Sequence, residues 1–259
     1  LICSFHAMIG IKRQILFVLI LFSTLGLFSQ EQEEGTGEQL LRHEWNAGGL
    51  LHIDGFGITG RNIQSITYYR KWFYEADIII MKHPKEIRVT NSYYPNTKSF
   101  IYGKKNSFFI TRFGVGMQRL LNREPFWGKG LEVRMIYSVG ASLGYTKPVY
   151  LYIITDQPSF SSSLSYKLEK YKPDKHGIWD IQGRGPITKG FDELGVYPGA
   201  YGKFGFNFEF AQERSKIRAL EAGAVLDIYP DKIPIMAKNE NKQLFLSFYI
   251  SLNLGARYN

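Results

Sequence analysis

Leu244-Phe-Leu-Ser-Phe-Tyr-Ile-Ser-Leu-Asn-Leu-Gly255 decides the fold class. Its even positions, Leu244, Leu246, Phe248, Ile250, Leu252 and Leu254, are all large and apolar. Ser247, Ser251, Asn253 and Gly255 stand between them, with Phe245 and Tyr249 as aromatic exceptions. Successive side chains of a strand point to opposite faces, so this strand has one apolar face and one mostly small or polar face. A soluble sandwich could use such a strand once. Recurrence through an exported chain turns the apolar side toward lipid.

The pattern does recur. Phe109, Thr111, Phe113, Val115 and Met117 oppose Arg112, Gly114, Gly116 and Gln118. Leu131, Val133, Met135, Tyr137, Val139, Ala141, Leu143 and Tyr145 oppose Glu132, Arg134, Ser138, Gly140, Ser142 and Gly144. Phe204, Phe206, Phe208 and Phe210 oppose Lys203, Asn207 and Glu209, and Leu220, Ala222, Ala224, Leu226 and Ile228 oppose Glu221, Gly223 and Asp227. Three earlier strands are read at Trp45–Ile53, Phe56–Tyr69 and Trp72–Met81, with a tight hairpin at Asp54-Gly55 and a turn at Arg70-Lys71. The total is about eight strands, an even number that returns both termini to one side. Asp54-Gly55 and residues 83–105, 147–195 and 230–242 fall at one end, and the turns near 70, 122–129 and 212–215 fall at the other. Apart from the tight first hairpin, long connections at one end and short ones at the other match a bacterial membrane barrel. The expected fold is all-β, an antiparallel transmembrane β-barrel over residues 44–259.

Export is read from the N-terminus. Lys12 and Arg13 precede an apolar run from Ile15 to Phe28, followed by Ser29-Gln-Glu-Gln-Glu-Glu34. This is a signal-peptide pattern over residues 1–29, cleaved near Ser29-Gln30; an N-terminal anchor is the alternative, although the run is short for a spanning helix. Met8 just precedes the basic pair, so Leu1 to Ala7 reads as upstream sequence. Residues 30–43 form a flexible acidic lead-in. The one cysteine, Cys3, lies ahead of the signal, so neither a disulfide nor a cysteine metal site is expected in the exported part. The net charge of +9 suits acidic lipid headgroups or lipopolysaccharide phosphates better than nucleic acid, or is simply solvated loop charge. Outer-membrane lipid and lipopolysaccharide are therefore expected partners, in a bacterial outer-membrane location.

The expected interior carries Glu75, Asp77, Arg112, Glu132, Arg134, Lys203, Glu209, Glu221 and Asp227. Both signs fall on neighbouring strands, and buried charges are costly unless paired. An eight-stranded interior is just wide enough for side chains to fill, which favours an ion-paired plug over a polar conduit or ligand site. Inward Gly114, Gly116, Gly140, Gly144, Gly205 and Gly223 fit a crowded small barrel. Tyr137, Tyr145, Tyr229, Trp72 and Trp127 suit aromatic girdles near the strand ends. His43, His52, His83 and His176 lack metal-ligand spacing, and no cofactor is expected. A catalytic Ser-His pair would need His52 with Ser138 or Ser142 across the barrel, so no enzyme is expected.

Three groups of motifs carry a resemblance. One is Lys82-His-Pro-Lys-Glu86 with Asn91-Ser-Tyr-Tyr-Pro95 and Ser99-Phe-Ile-Tyr-Gly-Lys104. The second is Gly140-Ala-Ser-Leu-Gly-Tyr-Thr-Lys-Pro-Val-Tyr-Leu151, and the third is Gly190-Phe-Asp-Glu-Leu-Gly-Val-Tyr-Pro-Gly199 with Glu221-Ala-Gly-Ala-Val-Leu-Asp-Ile-Tyr-Pro230. Together they resemble a family of uncharacterised outer-membrane β-barrel proteins from Bacteroidota-type bacteria, spanning most of residues 44–256. The resemblance implies an outer-membrane barrel and transfers no activity. Loops with organised Pro, Tyr and Lys residues suggest a docking surface, with His83, Pro84, Lys85, Tyr93, Tyr94, Tyr102, Lys147, Pro148 and Tyr150 as candidate partner contacts. The expected role is a structural or scaffold subunit of an outer-membrane protein assembly. A small-solute or lipid-handling barrel, for transport or lipid modification, is the alternative. A soluble periplasmic β-protein, in which the apolar faces form a core, is a third.

Overall fold

A computed structural model of the chain describes residues 42–93, 97–122, 131–155, 165–210, 215–237 and 241–258. The signal peptide, Cys3, lead-in residues 30–41, Tyr94 and Trp127 lie outside the described residues. In chain order the strands are β1 (His43–His52), β2 (Gly55–Ser65), β3 (Arg70–Met81), β4 (Arg88–Val89), β5 (Phe100–Ile101) and β6 (Asn106–Asn122). They continue as β7 (Glu132–Pro148), β8 (Tyr150–Ile154), β9 (Tyr166–Lys170), β10 (Ile181–Arg184), β11 (Gly195–Glu209), β12 (Lys216–Ile233) and β13 (Lys242–Tyr258). Eight of them close into one barrel in the order β1-β13-β12-β11-β7-β6-β3-β2. Every neighbouring pair is antiparallel. The last strand pairs back to the first, with Trp45 opposite Ala256. Closure gives each of the eight barrel strands a partner on both sides.

The alternation read from the sequence points apolar residues out. Leu244, Leu246, Phe248, Ile250, Leu252 and Leu254 are all more than half exposed, whereas Ser247, Ser251 and Asn253 are buried. Ile58, Ile78, Phe113, Val139 and Phe204 extend this exposed apolar surface around the other strands. The apolar faces therefore form no soluble core. The bulky aromatic exceptions go inside: Tyr249 is buried and Phe245 packs against the inner cluster. Tyr229 is also inside, 2 % exposed, rather than in a girdle. It shares the parity of Asp227, which decides its face.

Several boundaries move. The first hairpin turns through Ile53-Asp54, since His52 pairs with Gly55. The second strand ends at Ser65, the turn spans 66–69, and Arg70 and Lys71 belong to β3. Strand β12 runs on to Ile233, into the expected 230–242 loop. Strand β11 starts at Gly195, well before Phe204. Its first residues pair only with β7, and pairing to β12 begins at Ala200. Pro198, which lacks an N–H, thus sits where one side of the strand needs no ladder donor. The register, not hydrophobic alternation, defines this segment.

The long connections are structured. Strands β8, β9 and β10 form a separate three-stranded sheet and β4–β5 a short hairpin, all at the end of the barrel where β3 stops and β6 starts. Phe100, Leu151, Ile153, Tyr171 and Ile181 make a small apolar core joining them. The Asn91 side-chain amide ties the first loop to the second, donating to the carbonyls of Trp179 (3.3 Å) and Ile181 (3.1 Å). The described parts of residues 83–105 and 149–194 thus add a loop domain rather than barrel strands.

Candidate functional site

Strand β3 shows how the barrel interior is layered. Its inward side chains, from turn end to loop end, are Lys71, Phe73, Glu75, Asp77, Ile79 and Met81. Charge, apolar, charge and apolar layers follow one another along the axis.

Every charged side chain of the central layer meets an opposite charge, while Asp77 Oδ1 and Arg112 Nη1 have no hydrogen-bond partner among the described residues. Arg61 bonds Glu75 at 3.1 Å and grips both oxygens of Glu221. Arg112 makes a two-pronged contact with Asp227 at 2.9 and 2.6 Å, and Lys203 bridges Glu75 at 3.0 Å and Asp77 at 2.7 Å. Three cations face four carboxylates, so extra donors are needed. Ser138 (2.5 Å) and Tyr201 (2.8 Å) donate to Glu75, and Tyr249 donates to Glu221 at 2.7 Å. Glycine makes room for these tyrosines. A Cβ at Gly114 would strike the Tyr201 hydroxyl, and one at Gly205 would sit 2.9 Å from that of Tyr249. The side chains of Arg61, Glu75, Asp77, Arg112 and Lys203 are 0 % exposed. Their side chains fill the lumen at this level.

Apolar layers lie on either side. Ile63, Phe73 and Ile136 separate the centre from the turn end. Leu50, Ile79, Met81, Phe108, Ile110 and Tyr229 belong to the cluster filling the loop end. The second charge layer joins Lys71 to Glu44 (2.5 Å), Arg257 to Glu44 (2.9 Å) and Glu209 (2.6 Å), and Arg134 to Glu132. All nine expected interior charges face inward, with Glu132 only half-buried, but they form two clusters rather than one. Arg61, Glu44, Lys71 and Arg257 were not among them. Arg61 shares the parity of buried Thr59 and Ile63, opposite outward Ile58, and that signal could have found it. Lys71 falls in the expected turn, and Glu44 and Arg257 fall outside the expected strands, whereas β3, β1 and β13 include them.

A Ser-His pair does not form around Ser138, whose hydroxyl is held by Glu75. His52 is buried, its ring 6.0 Å from that of Tyr249, and neither ring nitrogen has a hydrogen-bond partner among the described residues. No group of three or more His, Cys, Asp or Glu residues able to hold a metal occurs among the described residues.

The candidate partner contacts divide. Pro84 and Lys85 are exposed, His83 is half-buried, and Tyr93 is 78 % exposed. Tyr93 meets Trp179, itself 64 % exposed, edge to face at 5.3 Å. Lys147 and Pro148 are buried at the junction of the barrel and the loop domain. The Lys147 ammonium donates to the Ile187 carbonyl and lies 4.6 Å from the centre of the Phe191 ring. Tyr102 packs against the loop core. Tyr150 donates to Glu193 at 2.5 Å, alongside Lys170.

Those hydrogen bonds, from Lys170 first and Tyr150 second, hold Glu193 below its ordinary carboxylate range. The tether is fully present above the ordinary carboxylate pKa and is lost as pH falls through the lowered value. Glu193→Gln should therefore reduce hydrogen-exchange protection of residues 190–194 at neutral pH. The difference from wild type should vanish in acid; a difference that grows in acid would refute the tether.

No family model and no curated protein matches the chain. Among solved structures it is similar to Neisserial surface protein A, with 9% sequence identity and a TM-score of 0.38, over 83% of this chain and 96% of that one. At that score the likeness adds nothing to the fold read from the strand register.

Proposed function

We propose that the chain is an integral outer-membrane barrel that serves as a structural or scaffold subunit, docking a partner through its loop domain. Membrane insertion is supported by the closed barrel with its exposed apolar wall and charge-filled interior. A soluble protein would leave that wall in water. The Bacteroidota-type family membership is proposed on the sequence motifs alone.

The observation that carries docking is the Tyr93–Trp179 pair, exposed on two turns beside β4 and β10 that the Asn91 side chain ties together. Aromatic side chains on a pre-organised surface are the usual energetic centres of protein interfaces. The plugged lumen argues against a solute pathway through the barrel. A photo-crosslinker at Trp179 in native membranes should trap one stoichiometric protein. Tyr93→Ala with Trp179→Ala should weaken its co-purification by about tenfold or more, the loss expected of a central aromatic contact. A chain that stays monomeric in native membranes would end the scaffold reading.

A further inference from the structure

We propose that a groove between the loop domain and the outer wall of β3, β6 and β7 binds a phosphorylated, acylated lipid of the outer leaflet. The proposal rests on the membrane reading above. The groove holds about 240 Å³. Its floor continues the lipid-facing wall: Ile80 and Phe109 are cross-strand partners in the last outward rung before the loops. Ile187, 68 % exposed, overhangs it from the loop domain.

Its rim is cationic. Lys82, Arg88, Lys104, Arg184 and Lys189 line it, with the buried Lys147 beneath them, against the single carboxylate of Glu86. Glu86 is committed to Lys104 at 2.7 Å. Arg88, Arg184 and Lys189 are exposed, and no carboxylate among the described residues pairs with them. Cations above an apolar floor match a ligand with phosphate at one end and hydrocarbon at the other. A free polyanion would use the rim and leave the floor empty. A neutral lipid would use the floor and leave the cations unanswered. A phosphorylated acyl lipid answers both, and a barrel wall ending under basic loops sets its phosphates beside the rim.

The test is lipid retention by the full chain folded in detergent micelles. The probes are bisphosphorylated lipid A, its dephosphorylated form and inorganic pyrophosphate, read by native mass spectrometry. Wild type should retain the bisphosphorylated lipid over the dephosphorylated one by about tenfold or more. Arg88→Glu with Arg184→Glu should remove that preference, and Lys167→Glu, on an exposed strand of the loop sheet, should leave it intact. Equal retention of the two lipids by wild type, or equal binding by wild type and the double variant, overturns the site. Full competition by pyrophosphate overturns the lipid assignment in favour of a simple anion site. Carbonate extraction of membranes tests insertion separately, so a failed groove leaves the membrane reading standing.

Discussion

Arg112→Met should destabilise the folded barrel by about 3–5 kcal/mol, the cost of leaving a buried charge without its partner. Arg112 holds both oxygens of Asp227 and also lies 3.8 Å from Asp77, all of them 0 % exposed. Removing the guanidinium strands Asp227 in a buried layer. Asp77 keeps Lys203, so the loss concentrates on one carboxylate. The double variant Arg112→Met with Asp227→Leu removes the orphan and should recover most of the stability, since an apolar pair can replace a buried ion pair at little cost. Urea unfolding of the protein in micelles measures both. Equal losses in the single and double variants would mean that packing, not charge pairing, dominates at this level.

On the opposite face, Ile250→Arg should cost about 2–4 kcal/mol, because it places a cation on the lipid side midway along β13. Ile250 is 54 % exposed, so in water the same change would be nearly neutral. Tyr258→Arg, outward at the end of the same strand, should cost only about 0–1 kcal/mol. Refolding yields and unfolding free energies in bilayer vesicles give the comparison. A flat profile along the strand would contradict a lipid-facing wall.

Much of the barrel was legible because a strand writes its two faces as alternating letters. Where both faces differ strongly, as in β7, β12 and β13, the alternation gave face and class together. Strand β2 is less legible: Ile58 points out and Ile63 points in, so hydrophobicity alone does not distinguish its faces. The early residues of β11 are rich in Gly and include Pro198, and they join the barrel only because β7 offers them a ladder. The interior charges were legible by parity, but their partners were not. Arg61 and Glu221 are far apart in sequence and meet across the lumen. Lys147 and Pro148 carry the composition of an exposed loop, yet both are buried, Lys147 against Ile187 and Phe191 from further along the chain.

The segment Leu244–Gly255 by itself determined an apolar face and a polar face, and its repetition determined an even set of antiparallel strands. That follows from the two-residue period of the extended chain. Which face met the barrel axis was decided by closure. Eight strands leave little room inside, and the small and charged side chains fit there only with glycines beside them and opposite charges within reach. Tyr249 shows the division. The sequence marked it as an exception to the pattern, and the folded barrel placed it against Glu221, where its hydroxyl completes a pairing between strands remote in sequence.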